Sequence, residues 1–109
     1  MPFQQIDSEG LKALMASTPE LLVLDVRTPE EFAYIGHIPN ATLLPLQQLP
    51  MSWQQLDRER PTVVLCQHGV RSLDACYYLE QAGFSRLYNL VEGMSTWDGP
   101  VEREPLPQQ

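Results

Sequence analysis

An α/β domain is what this sequence predicts: a mostly parallel sheet with helices on both faces. Three observations lead there. Short continuous apolar runs, Leu21-Leu22-Val23-Leu24 and Thr62-Val63-Val64-Leu65, have the length and branching of strands buried on both sides. Segments with helical spacing flank these runs, with Leu11, Leu14 and Met15 in one and Ala75, Cys76, Leu79 and Ala82 in another. Their alternation along the chain implies parallel strands joined by right-handed crossovers. A length of 109 residues is one domain, enough to bury a core without disulfide staples.

Taken in order, Gln4-Gln5-Ile6 reads as a short edge strand. Asp7 or Ser8 then caps the first helix, which Gly10 weakens slightly. Pro19 and Glu20 lead into the Leu21–Leu24 strand, which ends at Asp25. Thr28 follows as an N-cap, Pro29 fits the first helical position, and Glu31 completes a Thr-x-x-Glu capping box. That helix should turn Phe32 and Ile35 to the core, with Arg27 and Glu31 pairing across the turn. Gly36-His37-Ile38-Pro39-Asn40 is a turn-rich link in which Asn40 tolerates left-handed φ. Ala41–Leu44 forms a third strand stopped by Pro45, and Leu46–Pro50 should be irregular. Met51–Leu56 offers a helical turn or two, with Trp53 and Leu56 over the sheet, before a solvated charged loop at Asp57–Pro61. The last strand is Leu87-Tyr88-Asn89-Leu90, and a short helix after Gly93 carries Met94 and Trp97. Residues 1–100 make up the domain, and the proline- and charge-rich 101–109 is a tail expected to fray.

The stretch with chemistry in it is Cys66-Gln67-His68-Gly69-Val70-Arg71. Cys66 stands at the carboxyl end of a strand, behind a short loop and a helix N-terminus. Strand-end cysteines are often inert and buried. Here Gly69 permits positive φ, so that successive N–H groups from Gln67 to Arg71 can turn inward as an anion nest. Arg71 adds a permanent charge, and the helix dipole adds its positive end. Those are the surroundings that make a thiolate nucleophilic. Asp25 and Arg27 also stand at a strand's carboxyl end, where open α/β sheets bind ligands.

Composition excludes several classes. A net charge of −7, from 14 acids against 7 bases, disfavours nucleic acid and anionic membrane as partners. The start, Met1-Pro2-Phe3-Gln4-Gln5, lacks the basic end and apolar run of a signal peptide, so a cytoplasmic location is expected. The two cysteines should lie ~15 Å apart, Cys76 being three helical turns beyond Cys66, too far for a disulfide. No metal is expected, because Cys66, Cys76, His37 and His68 lack the paired spacings of zinc sites.

The Cys66–Arg71 loop resembles the Cys-x-x-Gly-x-Arg active-site loop of the rhodanese (thiosulfate sulfurtransferase) family. Leu24-Asp25-Val26-Arg27-Thr28-Pro29-Glu30-Glu31-Phe32, continuing to Gly36-His37-Ile38-Pro39-Asn40-Ala41, is similar to the family's N-terminal signature. Tyr88-Asn89-Leu90-Val91-Glu92-Gly93-Met94-Ser95-Thr96-Trp97 is similar to its C-terminal one. The resemblance implies a rhodanese-like fold, a five-stranded mostly parallel sheet with helices on both faces. It implies a sulfurtransferase without cofactor, carrying sulfane sulfur as a persulfide on Cys66. The donor would be thiosulfate or a protein persulfide, and the acceptor a small thiophile or a protein thiol. Gln67, His68, Gly69, Val70 and Arg71 would hold the substrate, while Asp25 and Arg27 support the loop and His37 hydrogen-bonds backbone. Gln67 and Gly69 stand where thiosulfate-handling members often place a basic residue, and Glu92, expected near the site mouth, replaces a frequent glycine. Two rivals remain open: a non-catalytic rhodanese-like binding module, and a Cys-loop phosphatase of the cell-cycle type. The latter has a loop of seven residues where this chain has six, from Cys66 to Arg71.

Overall fold

The apolar runs form the middle of the sheet. In a computed structural model describing residues 3–104, the strands are β1 (Gln4–Ile6), β2 (Leu22–Asp25), β3 (Thr42–Leu43), β4 (Thr62–Leu65) and β5 (Leu87–Leu90). They lie in the order β1-β5-β4-β2-β3, and every neighbouring pair is parallel. Alternation along β2 and β4 feeds two cores. Leu22, Leu24 and Val64 face α3 (Val70–Gln81) and the short α2 (Leu49–Ser52), together with Trp53 and Leu56. Val23, Val63 and Leu65 face Leu11, Leu14 and Met15 of α1 (Ser8–Ser17), with Ile38 and Met94. Asp7 caps α1 by accepting from the Gly10 N–H at 2.8 Å.

Three sequence-based expectations need correction. The Thr28–Glu31 capping box forms, with reciprocal bonds of 3.0 and 3.1 Å between side chain and backbone. What it opens, however, is a single wide π-type turn over Glu31–Ile35. The wider turn changes the phase of the buried face. Ala33 is buried and Ile35 is 48% exposed, so Ile35 does not face the core. Leu46–Gln48 is a 3-10 turn and α2 already begins at Leu49, so that segment is not irregular. Thirdly, residues 101–104 do not fray. Glu102 exchanges both backbone bonds with His37, at 2.9 and 2.8 Å, and Glu104 N–H donates to the Ala33 carbonyl at 3.1 Å. Paired backbone groups hold this strap to the Gly36–His37 turn; the remainder of the expected tail, 105–109, lies outside the described residues. Asn40 takes the left-handed conformation, with φ 69°.

The strand order sets the position of the loop after β4. As the middle strand, β4 has the ends of β2 and β5 on either side. The chain leaving β5 curls beneath that loop, where Met94 N–H donates to the Cys66 carbonyl and Ser95 N–H to the Gln67 carbonyl, both at 2.9 Å. Engaging these two carbonyls from below leaves the loop's own N–H groups free to face the other way. Gly93 makes the approach possible: its φ is 60°, and a Cβ there would run into the Cys66 carbonyl oxygen. Gly93→Ala should therefore lower unfolding free energy by about 1–3 kcal/mol, since left-handed strain and a backbone collision act together. Urea denaturation checks this, and an unchanged midpoint would refute the tight approach.

Candidate active site

Helix α3 lacks a capping side chain, and the site is built from that lack. Leu73 N–H donates to the Gly69 carbonyl, so Gly69 is the N-cap, with φ 92° and no side chain to satisfy the first turn. At most helix starts a Ser, Thr or Asp oxygen fills this place by accepting from the third helical N–H. Here the Cys66 sulfur fills it. Sγ accepts from the Gly69 N–H at 3.0 Å and from the Ser72 N–H at 3.3 Å, and the Ser72 hydroxyl lies 3.4 Å away. A side chain at residue 69 would collide with the Val91 carbonyl oxygen, so glycine is required on steric grounds as well.

The electrostatics follow. Burial pushes the Cys66 thiol up, but the Ser72 hydroxyl and the N–H groups of Ser72, His68 and Gly69 outweigh it and leave the thiol below its ordinary value. Cys66 is 1% exposed, so a reactant must meet the sulfur at the base of the loop. Cys76 has the opposite surroundings. Buried on the apolar face of α3, its thiol is pushed up to about 12 by desolvation, with the nearby Cys66 adding to the effect. Both cysteines are free.

The remaining sequence-predicted residues divide by what they touch. Gln67 does not turn its side chain to the sulfur; its Oε1 accepts from Arg27 Nη1 at 2.9 Å. Arg27 is wholly buried and does not pair with Glu31 as expected. Its Nε and Nη2 donate to the two oxygens of Asp25 at 2.9 and 2.8 Å, and Nη2 also reaches the Gly36 carbonyl at 2.7 Å. A buried guanidinium needs a partner for each donor, and Glu31, at a half-exposed turn, could supply only one side. Glu31 instead holds Arg71 in a two-point ion pair at 2.7 and 2.8 Å. The Arg71 guanidinium draws the Glu31 carboxyl down to about 2. His68 and Val70 are exposed on the loop; His68 contributes its backbone N–H to the sulfur's surroundings.

Ser72 was not among the sequence candidates. The available signal was a hydroxyl in the first turn of a helix whose N-cap is glycine. Glu92 stands between Val91 and Gly93, whose backbones abut the Cys66 loop, and lines a depression with Asp7, Ser8, Glu9, Thr96 and Asp98. A cavity of about 120 Å³ beside the loop is lined by Arg27, Thr28, Pro45, Leu46 and Arg71, among others. It lies on the β2 side of the Arg71–Glu31 pair.

Comparison with known proteins bears on this arrangement. The rhodanese-like domain profile matches residues 7–99. A sulfurtransferase of Allochromatium vinosum is 41% identical over 85% of this chain and 86% of its own length. The thiosulfate sulfurtransferase GlpE of Vibrio cholerae is 33% identical over 87% of this chain and 88% of its own. A rhodanese-like domain protein from Staphylococcus aureus, solved by crystallography, superposes with a TM-score of 0.84 at 32% identity, covering 94% of this chain and 99% of that one. With the sheet order, the six-residue loop and these matches in agreement, the chain belongs to the rhodanese-like domain family.

Proposed function

We propose that this rhodanese-type enzyme carries sulfane sulfur as a persulfide on Cys66. The observation that carries the reading is the set of N–H groups and the Ser72 hydroxyl around Sγ, which stabilise a thiolate in a nearly buried position. In the first step the Cys66 thiolate attacks the outer sulfur of the donor. The donor's S–S bond breaks, and the leaving group departs with the electron pair, as sulfite from thiosulfate or as a thiolate from a protein persulfide. The product, Cys66–S–S⁻, is a covalent intermediate that divides one transfer into two displacements. In the second step cyanide or an acceptor thiolate attacks the outer sulfur, and the Cys66 thiolate leaves. No net oxidation occurs, and no cofactor is needed.

The loop residues have distinct parts in this scheme. N–H groups of His68, Gly69 and Ser72 compensate the charge on sulfur, as preorganised donors do for developing anions. Arg71 sets the potential at the loop's rim, tempered by Glu31. Arg27 and Asp25 are positioning residues that fix Gln67, and so the loop's first turn, from behind. A neutral second and fourth loop position and a compensated Arg71 supply little excess positive charge. That favours a thiol-bound persulfide over dianionic thiosulfate as the donor.

Retention of the nucleophile supports catalysis over a purely binding role, and a ring of six residues supports a sulfur anion over a tetrahedral phosphate. Incubation with thiosulfate or a low-molecular-weight persulfide should add one sulfur atom to the intact mass. The gain should be reversed by dithiothreitol and absent in Cys66→Ser. If neither donor adds mass to a folded protein, the persulfide reading is wrong.

The pH dependence gives a second check. The nucleophile is the deprotonated form, so alkylation of Cys66 should slow as pH falls through a midpoint below that of a free thiol, about 8.5. Ser72→Ala should raise the midpoint, and equal midpoints in the two proteins would remove the hydroxyl from the scheme. Cys76→Ala, by contrast, should leave turnover within about twofold, because a thiol held near 12 is protonated at any physiological pH. A tenfold loss in the folded variant would make Cys76 a resolving thiol.

A further inference from the structure

We propose that His37, Glu102 and Glu104 form a structural site for a divalent late first-row cation, with zinc as the reference ion. The starting point is the orientation of His37. Its ring is nearly buried, at 3% exposure, and stacks on Phe32 with centroids 3.8 Å apart and planes 5° from parallel. Nδ1 lies 2.9 Å from the Phe32 carbonyl oxygen. A carbonyl can only accept, so Nδ1 carries a proton and donates it. In the neutral ring Nε2 is then a lone pair. What it faces are two more acceptors, Glu102 Oε1 at 3.7 Å and Glu104 Oε1 at 3.4 Å. No hydrogen bond to Nε2 is made among the described residues. Nε2 facing two carboxylate oxygens is favourable only with a positive charge between them, either a proton on the ring or a metal ion.

The geometry suits such an ion. The three donor atoms lie within 4.8 Å of one another. Ligand atoms about 2.0–2.1 Å from a tetrahedral zinc stand ~3.3–3.4 Å apart, close to the separations His37 already makes. One imidazole nitrogen and two carboxylate oxygens are a donor set for zinc and its neighbours, and their summed charge of about −2 matches a dication. Donation of Nδ1–H to a backbone carbonyl is the outer-shell arrangement that fixes a metal-binding histidine's tautomer. Water would complete the coordination. The backbone is also set in place: residues 102 and 104 are alternate positions on one extended strap, each anchored by its own N–H, to His37 and to Ala33.

Cysteine and histidine spacing gave no hint of this site, because two of its ligands are glutamates some 65 residues away on the strap. An ion there would clip the strap to the 32–37 segment. The same segment presents the Gly36 carbonyl to Arg27, and Glu31 just before it holds Arg71. The role is one of support, and it stands apart from the sulfur chemistry.

The test uses the full chain carrying Cys66→Ser, so that the reactive thiolate takes no metal. Titration with cobalt(II) should give one ion per chain, with the visible bands of a tetrahedral nitrogen–oxygen site. Glu102→Gln combined with Glu104→Gln should weaken binding at least tenfold. The two glutamates are exposed, so the double variant should fold with an unchanged metal-free Tm, which the buried His37 does not guarantee on substitution. Zinc at a hundredfold excess over Kd should raise the Tm of the parent by at least about 5 °C and leave the double variant unmoved. Equal affinities in the two proteins, or an unmoved Tm in the parent, would overturn the proposal. So would nitrogen NMR showing His37 Nε2 protonated at pH 7.5 with zinc present.

Discussion

A helix start without a side-chain cap is the constraint on which the site depends. Four N–H groups at any helix N-terminus need acceptors. In α3 a glycine N-cap leaves that need unmet by its own side chain, and the nearest acceptor is the sulfur of Cys66. The requirement runs both ways. The helix gains an acceptor where capping substitutions are worth about 1 kcal/mol, and the sulfur gains donors that favour its anion. Folding of the helix and the lowering of the Cys66 thiol therefore rest on the same contacts.

Holding the loop in that shape takes support from three directions. From β5, the segment after Val91 engages the carbonyls of Cys66 and Gln67, so their peptide units cannot rotate. From β2, the buried Arg27–Asp25 pair reaches across to the Gln67 side chain. A charge with no water around it is tolerated only where each donor has a partner, and breaking such a pair typically costs about 3–5 kcal/mol. That makes Arg27 a stiff post. From outside, Glu31 fixes the Arg71 guanidinium in two-point geometry, the arrangement that orients arginine most firmly. With its carboxyl held near 2, Glu31 stays ionised, and the ion pair intact, at every pH well above that value.

The two cysteines show how far surroundings govern chemistry in one small domain. Cys66 and Cys76 are both buried, and both contact α3 or belong to it. One faces N–H groups and a hydroxyl; the other faces aliphatic neighbours and a single backbone carbonyl at 3.7 Å. Their thiols move in opposite directions chiefly for that reason. Membership of the rhodanese-like family gives Cys66 its context. Among the described residues no helix is long and apolar enough to cross a membrane.

By itself the sequence determined the elements with strong local signals. Thr62–Leu65 and Leu87–Leu90 form strands over the residues read for them, the Thr28–Glu31 capping box closes, and Asn40 is left-handed. It also marked out the six-residue loop between β4 and α3, because a cysteine, a glycine and an arginine at that spacing concentrate the signal there. Tertiary structure decided the partners. Arg27 and Glu31 are four residues apart and looked paired, yet each bonds a residue about forty positions away. The 101–104 strap read as frayed from its composition, but backbone pairing to His37 and Ala33 holds it. The phase of a wide turn exposed Ile35. Periodicity and capping act over one or two turns and are written locally. Which charge meets which is fixed only when distant segments pack and water is excluded between them, and a linear pattern does not encode that choice.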